Sequence, residues 1–327
     1  MHLSFPALHQ THVWNRCARA RICKEQQIDV VLAVGGGSVL DAAKWIAAAA
    51  CVEHDAWDFF DKWAPVERAL PVVTVLTLSA TGSEMDCGGV ISNPDTKDKI
   101  GRMERPLLPR ASFLDPTVTY SVSRYQTACG AADMLNHILE VYFTTEQDLY
   151  MLDEMMEGLM RTILKFTPTA MAKPTDYEAR ANLMWASSWA INGFITGGKQ
   201  HDWSCHPIEH ELSALYDITH GLGLAILTPR WLTYCLNEKT LPRYVRFAVQ
   251  VMGVDAALPS MEIAREGIAR LSHFLFDMLE LTDTLGALGM RREDLPVMAR
   301  KACGGGVIYG LMPLDKTDVE KILDMCF

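Results

Sequence analysis

The sequence predicts an α/β domain built on an incomplete parallel sheet over residues 1–118, followed by an all-α domain over residues 119–327. Three observations carry that expectation. At 327 residues the chain exceeds what a single hydrophobic core usually organises, so two domains are expected. Its first third holds two β-branched apolar runs, residues 28–34 (IDVVLAV) and 70–78 (LPVVTVLTL), each stopped by a turn of small residues. Continuous runs of this kind suit strands buried on both faces of a parallel sheet. Beyond Asp115-Pro116 such runs cease, and from about Ser121 apolar residues recur at three and four, as at Ile191 and Ile195 and at Ile268, Leu271 and Leu275, which is the helical period.

Taken in order, residues 1–13 have no strong period, residues 16–27 read as a helix, and residues 28–34 form the first strand. Gly35-Gly36-Gly37-Ser38 follows, then the alanine-rich helix of residues 39–51, VLDAAKWIAAAAC. Strand, glycine turn and helix together make a phosphate-binding arrangement: amide N–H groups at the helix start face an anion, and missing side chains allow close approach. Triple glycine is also an ordinary turn. Asp41 and Lys44 read equally well as a helix-stabilising acid with its i+3 lysine. The second strand feeds Ser79-Ala80-Thr81-Gly82-Ser83-Glu84, whose hydroxyls also suit turns and caps. A third strand is expected at residues 111–115. In the helical part methionine and tryptophan serve helix packing, and the last helix takes Thr317 as its N-cap.

Composition excludes several classes. With 49% hydrophobic and 21% charged residues the chain is an ordinary globular protein rather than a disordered one. A net charge of −10 argues against a nucleic-acid partner, which requires clustered Lys and Arg, though not against a nucleotide held locally by helix N-termini. No stretch is apolar for the roughly 18 residues a membrane span needs, and the opening MHLSFPALHQTHVW lacks the pattern of a signal peptide. Nine cysteines with no C-x-x-C pair fit a reducing compartment rather than a disulfide framework or zinc ribbon. A cytoplasmic location is expected. Cys205 is expected to be a buried small apolar residue.

The densest chemistry lies between residues 201 and 220, HDWSCHPIEHELSALYDITH, which holds four of the ten histidines. Upstream, Asp133 and His137 stand four apart, on one face of a helix and within reach of a single ion. His206 and His220 would lie roughly 21 Å apart on an unbroken helix, whereas a metal–nitrogen bond is about 2.0–2.1 Å. Shared coordination therefore needs the chain to turn, and Tyr216-Asp217-Ile218-Thr219 is where a break is expected. Asp133, His137, His206 and His220 then form one carboxylate and three imidazoles, a set suited to Zn²⁺ or Fe²⁺. His201 reads as a solvated histidine in a polar turn.

Joined together, D-x3-H, H-x3-H-x9-H, GGGSVLDAAK and T-x3-TGSE resemble the iron-containing (group III) alcohol dehydrogenases, over nearly the whole chain from Cys23 onward. LAVGGGSVLD with TLSATGSEMD is most similar to the butanol-dehydrogenase and broad aldehyde-reductase branch. The resemblance implies a dehydroquinate-synthase-like architecture, with a dinucleotide-binding domain followed by the helical metal and substrate domain. It puts Asp133, His137, His206 and His220 on the metal, which it implies is Fe²⁺, with Zn²⁺ as the other candidate. It assigns Gly36, Gly37, Ser38, Thr77, Thr81 and Lys99 to NAD(P)H, with the preference between the two nucleotides undetermined. It places His210 beside the nicotinamide, where its ordinary pKa near 6.5 would make it a proton relay.

The implied activity is hydride transfer between nicotinamide and a metal-bound primary alcohol or aldehyde, by a homodimer with small-molecule substrates. A glycerol-dehydrogenase-like or dehydroquinate-synthase-like relative, or a metal-binding chain without turnover, is the alternative. The family also places a hairpin and a strand with its own glycine turn before residues 16–27, where this chain has MHLSFPALHQTHVW. That stretch has no β-branched run fit for a sheet centre and suits a tail. The expectation is a sheet with an exposed edge, a retained metal site and weakened NAD(P)H binding.

Overall fold

The computed structural model describes residues 13–145, 149–199 and 202–327, with side chains from residue 18 onward. Most of the tail expected at residues 1–13, and His201, lie outside the described residues. The sheet side begins with α1 (Val13–Glu25), β1 (Val31–Gly35) and α2 (Gly37–Ala49), then a single turn, α3 (Asp58–Asp61), and β2 (Val72–Leu76). A hairpin of β3 (Gly88–Asn93) and β4 (Asp98–Met103) precedes β5 (Ala111–Phe113). The three-stranded sheet has the order β1-β2-β5 and is parallel, with Val31 opposite Val72, Gly35 opposite Leu76 and Val73 opposite Ala111.

Burial on both faces holds only in part. Val72, Thr74 and Leu76 of β2 are buried, and Val72 and Leu76 pack with Ala33 under Leu40, Ala43 and Ala47 of α2. On the opposite face Val30, Leu32 and Val34 are 51%, 59% and 53% exposed. Among the described residues β1 pairs only with β2, and no described element covers the face of β1 that carries Leu32 and Val34.

The hairpin was not foreseen. Three glycines and three charged side chains interrupt its alternation, although Asn93-Pro94-Asp95 is a recognisable turn signal. It is fastened to α2 by the two charged residues that sequence alone would pair with each other. Lys44 instead donates to the Asp86 carboxylate at 2.8 Å and to the carbonyls of Asp86 and Gly88 at 3.0 and 2.8 Å. Asp41 accepts from Ser83 Oγ at 2.6 Å and from the Val90 amide at 2.8 Å. Buried charges need such partners. These bonds fix the position of the hairpin that carries Lys99.

The remainder is helical: α4 (Arg124–Tyr142), α5 (Tyr150–Ala172), α6 (Tyr177–Trp189), α7 (Cys205–Tyr216), α8 (His220–Cys235), α9 (Leu241–Gln250), α10 (Ser260–His273), α11 (Leu295–Ala302) and α12 (Lys316–Asp324). Among the described residues this half contains no strand, only an isolated bridge between Ile308 and Leu314. Ile191 and Ile195 fall in turns after α6 rather than in a helix, because the chain leaves the helical path at Ala190. The N-cap of α12 is Asp315, not Thr317: the Asp315 carboxylate accepts from the amides of Thr317 and Asp318, and Asp318 bonds back to the Asp315 amide in a capping box. One core spans these helices, with α4 and α8 at its centre. Cys205 is fully buried there, and no disulfide forms among the described residues.

Candidate active site

Residues 127–144, from the first turn of α4 to just past its end, are buried, so polar side chains on this helix must find partners inside the protein. Asp133, His137 and Glu140 follow one another at four and three, which stacks them on one face. Asp133 Oδ1 lies 3.6 Å from His137 Nε2 and 3.7 Å from His220 Nε2.

Glu140 organises the start of α7. Its carboxylate accepts from the amides of Ser204, Cys205 (2.8 Å) and His206 (3.2 Å) and contacts His206 Nδ1 at 2.5 Å. The exposed amides of a helix N-terminus favour such an anion. With Nδ1 held, His206 turns Nε2 inward, stacks on His137 with ring centres 4.7 Å apart, and lies 5.2 Å from the His220 ring.

The turn expected between His206 and His220 is present. α7 ends at Tyr216, Asp217 adopts the left-handed conformation at φ 56°, and α8 starts at His220. α8 can then lie directly against α4, because a Cβ on Gly221 would come within 2.0 Å of the Cys129 carbonyl oxygen. Both contacting groups are backbone, so Gly221→Ala forces the helices apart. We expect it to cost about 3 kcal/mol, at the upper end for overpacking, read as a lower urea midpoint.

Asp133, His206 and His220 bring ligand atoms within 4.8 Å of one another, with His137 alongside. Asp133 Oδ1 and His206 Nε2 are buried with no hydrogen-bond partner, which is the state expected of atoms that serve an ion. Burial pushes the His137 pKa down to about 3, leaving that ring neutral and able to ligate. Burial also opposes charge on His206, but the Glu140 carboxylate outweighs it and raises the pKa.

Glu209, His210 and His220 form a second donor group. Glu209 is poorly fitted to hold an ion, since its oxygens already take Ser213 Oγ, His220 Nδ1 and the Lys99 ammonium at 3.0 Å. Burial works against the Glu209 charge, yet His220 and Lys99 hold its pKa below the usual carboxylate range. A cation at that distance repels another. The donor chemistry fits a divalent ion at the first group.

Two cavities meet here. One, of about 440 Å³, is lined by Gly37, Ser38, Thr81 and Lys99 and reaches Asp133 and His220. The other, of about 550 Å³, touches His137, Trp203, His206 and His210, and also borders on Ser38, Thr81, Lys99 and His220. The two loops read from sequence are in contact: a Cβ on Gly37 would lie 2.4 Å from the Thr81 side chain. Gly36 caps α2, and Thr77 donates its amide to Gly35 at 3.0 Å, but neither lines either of these two cavities.

Lys99 reaches both cavities, with its ammonium tied to Glu209 and 3.2 Å from His220 Nδ1. His210 lies in the second cavity with its Nε2 unpartnered. Burial, with the Lys99 and His220 charges, pushes its pKa well below 6.5, so the ordinary value assumed from sequence does not apply.

Sequence reasoning missed Glu140, Glu209 and Trp203. D-x3-H-x2-E on α4 and E-H within H-x2-E-H on α7 were the available signals for the acids. Trp203 packs edge-on against His206 and His137, at ring-centre distances of 4.8 and 5.9 Å.

A parallel-sheet unit with glycine and threonine loops, facing a carboxylate–imidazole donor set across adjoining cavities, defines a metal- and dinucleotide-dependent class of enzyme. The sequence matches the iron-containing alcohol dehydrogenase model over residues 12–116 and the C-terminal model of the Fe-containing alcohol dehydrogenase family over residues 127–327. NADH-dependent butanol dehydrogenase A of Clostridium acetobutylicum is 46% identical over 303 residues, 92% of this chain and 78% of that one. The NADPH-dependent aldehyde reductase YqhD of Escherichia coli is 35% identical, over 86% of this chain and 73% of that one. The crystal structure of NADH-dependent butanol dehydrogenase A from Thermotoga maritima superposes with a TM-score of 0.91 at 38% identity, covering 96% of this chain and 80% of that one. The chain belongs to the iron-containing alcohol dehydrogenase family, and its activity is NAD(P)-linked oxidoreduction of alcohols and aldehydes.

Proposed function

We propose that Asp133, His137, His206 and His220 hold a single divalent ion, Fe²⁺ in the native protein, and that the chain reduces short aldehydes and oxidises the matching primary alcohols. The observation that carries this reading is the pair of buried, unpartnered atoms, Asp133 Oδ1 and His206 Nε2, at the junction of the two cavities. NADH is the proposed reductant and butyraldehyde the proposed test substrate, since relatives at 46% identity are named for NADH and butanol. A cytoplasmic homodimer belongs to the same reading. Its location is supported by the free cysteines. No helix of the described residues is long and apolar enough to cross a membrane.

When bound, a divalent ion supplies Lewis acidity toward an alcohol or carbonyl oxygen, and a nicotinamide supplies or takes the hydride. The chain's own residues do the positioning. Asp133 contributes the one carboxylate charge, and neutral His137 adds a donor without adding charge. Glu140 and Glu209 fix the rings of His206 and His220 through their Nδ1 atoms. Gly37 and Ser38 at the start of α2 offer amides to the nucleotide phosphates, beside the Thr81 hydroxyl and the Lys99 ammonium. Trp203 packs against the His137 and His206 rings and restricts their movement. His210, neutral at pH 7, passes the substrate proton through Nε2.

The test is oxidation of NADH, and separately NADPH, by butyraldehyde with iron-loaded and zinc-loaded protein. Turnover with either nucleotide that vanishes on metal removal is expected; turnover unaffected by metal removal would refute the reading. His210→Phe is expected to keep its metal and lose about 10²-fold in kcat, the lower range for a general acid–base group. Loss of metal from that variant would place His210 on the ion.

A further inference from the structure

His220 is where the sheet side and the helical side of the site meet. Its Nε2 faces Asp133 at 3.7 Å, and its Nδ1 meets Glu209, which is fully buried. Lys99 arrives from β4 and places its ammonium 3.0 Å from the same Glu209 oxygen and 3.2 Å from His220 Nδ1. A carboxylate that accepts the second N–H of a ligating histidine orients the ring and raises its basicity. A cation on the same oxygen draws that electron density away. Glu209 and Lys99 therefore act on the donor strength of His220 in opposite directions. Lys99 also lines the cavity that holds Gly37, Ser38 and Thr81, so an anion bound there sees its charge.

We propose that Lys99 and Glu209 are positioning residues that link nucleotide occupancy to metal retention. An anionic pyrophosphate near Gly37 and Ser38 shares the Lys99 charge, Glu209 is left to His220, and the ion is held more tightly. The coupling is reciprocal, so the metal strengthens nucleotide binding by the same factor. This inference rests on the metal and nucleotide assignments proposed above.

The experiment follows release of Zn²⁺ from the loaded 327-residue chain into a chromophoric chelator, with and without NADH at saturation established for each variant by nicotinamide fluorescence. In the unmodified chain NADH is expected to slow release at least about fivefold, the low end of ordinary coupling. Lys99→Met should release zinc more slowly than the unmodified chain without nucleotide, and NADH should then add little. Glu209→Gln should release it about 10- to 100-fold faster, the usual loss for an outer partner of a ligand, with no NADH effect. Equal slowing by NADH in Lys99→Met and the unmodified chain would mean simple occlusion and would overturn the proposal, as would unaltered release from Glu209→Gln. Failure of the underlying metal assignment looks different: zinc would then bind His206→Ala as well as it binds the unmodified chain.

Discussion

His206→Ala and His220→Ala are expected to lose metal and activity together, with metal affinity reduced by well over about 100-fold, since even outer partners of ligands are worth 10- to 100-fold. Each imidazole is held for this task before any ion arrives. Glu140 fixes His206 through Nδ1 and also caps α7, so the ring does not swing away, and Glu209 does the same for His220. The substitutions remove a ligand but leave the helices in place, since the Glu140 carboxylate still receives the amides of Ser204, Cys205 and His206. Elemental analysis of purified variants, beside far-ultraviolet circular dichroism, measures both consequences. Full metal content in either variant would contradict the assignment.

Lys44→Met should be the most destabilising single change on the sheet side, by about 3–5 kcal/mol, the usual result of breaking a buried pair. The Lys44 side chain is 0% exposed and satisfies one carboxylate and two carbonyls. Methionine fills the volume but leaves the buried Asp86 carboxylate without its cation, held by the Gly88 amide at 2.7 Å. Against a typical total stability of 5–15 kcal/mol, most of the population could unfold on warming. Urea unfolding checks the size of the effect, and Asp86→Asn in the same chain should recover part of it by removing the uncompensated charge. Because Lys44 also fixes the hairpin bearing Lys99, surviving Lys44→Met protein should bind nucleotide more weakly. An unchanged urea midpoint would show that the hairpin is held by other contacts.

How far the fold and site could be read in advance differs from residue to residue. The order of strand, glycine turn and helix was legible because β-branched runs and glycines act locally. So was the break near Asp217, because two histidines fourteen apart cannot share an ion on one helix. The same locality explains the errors. Asp41 and Lys44 look like an i+3 pair because sequence shows only neighbours, whereas both reach residues more than forty positions away. Glu140 resembled any helix acid until α7 was seen to begin at its carboxylate. Thr317 seemed the cap of α12 because hydroxyls suit that role, but Asp315, two residues earlier, captures the amides. The β3–β4 hairpin escaped notice since its strands are glycine-rich and only half buried. The β1 run was read as doubly buried, yet nothing in a sequence tells which faces of a strand other segments cover.

The account depends most on where the ion sits, and two donor groups sharing His220 compete for it. An anomalous difference map at the iron edge, from crystals of the iron-loaded protein, separates them. The expected result is one peak bounded by Asp133, His137, His206 and His220. A peak among Glu209, His210 and His220, or none near His220, would contradict it.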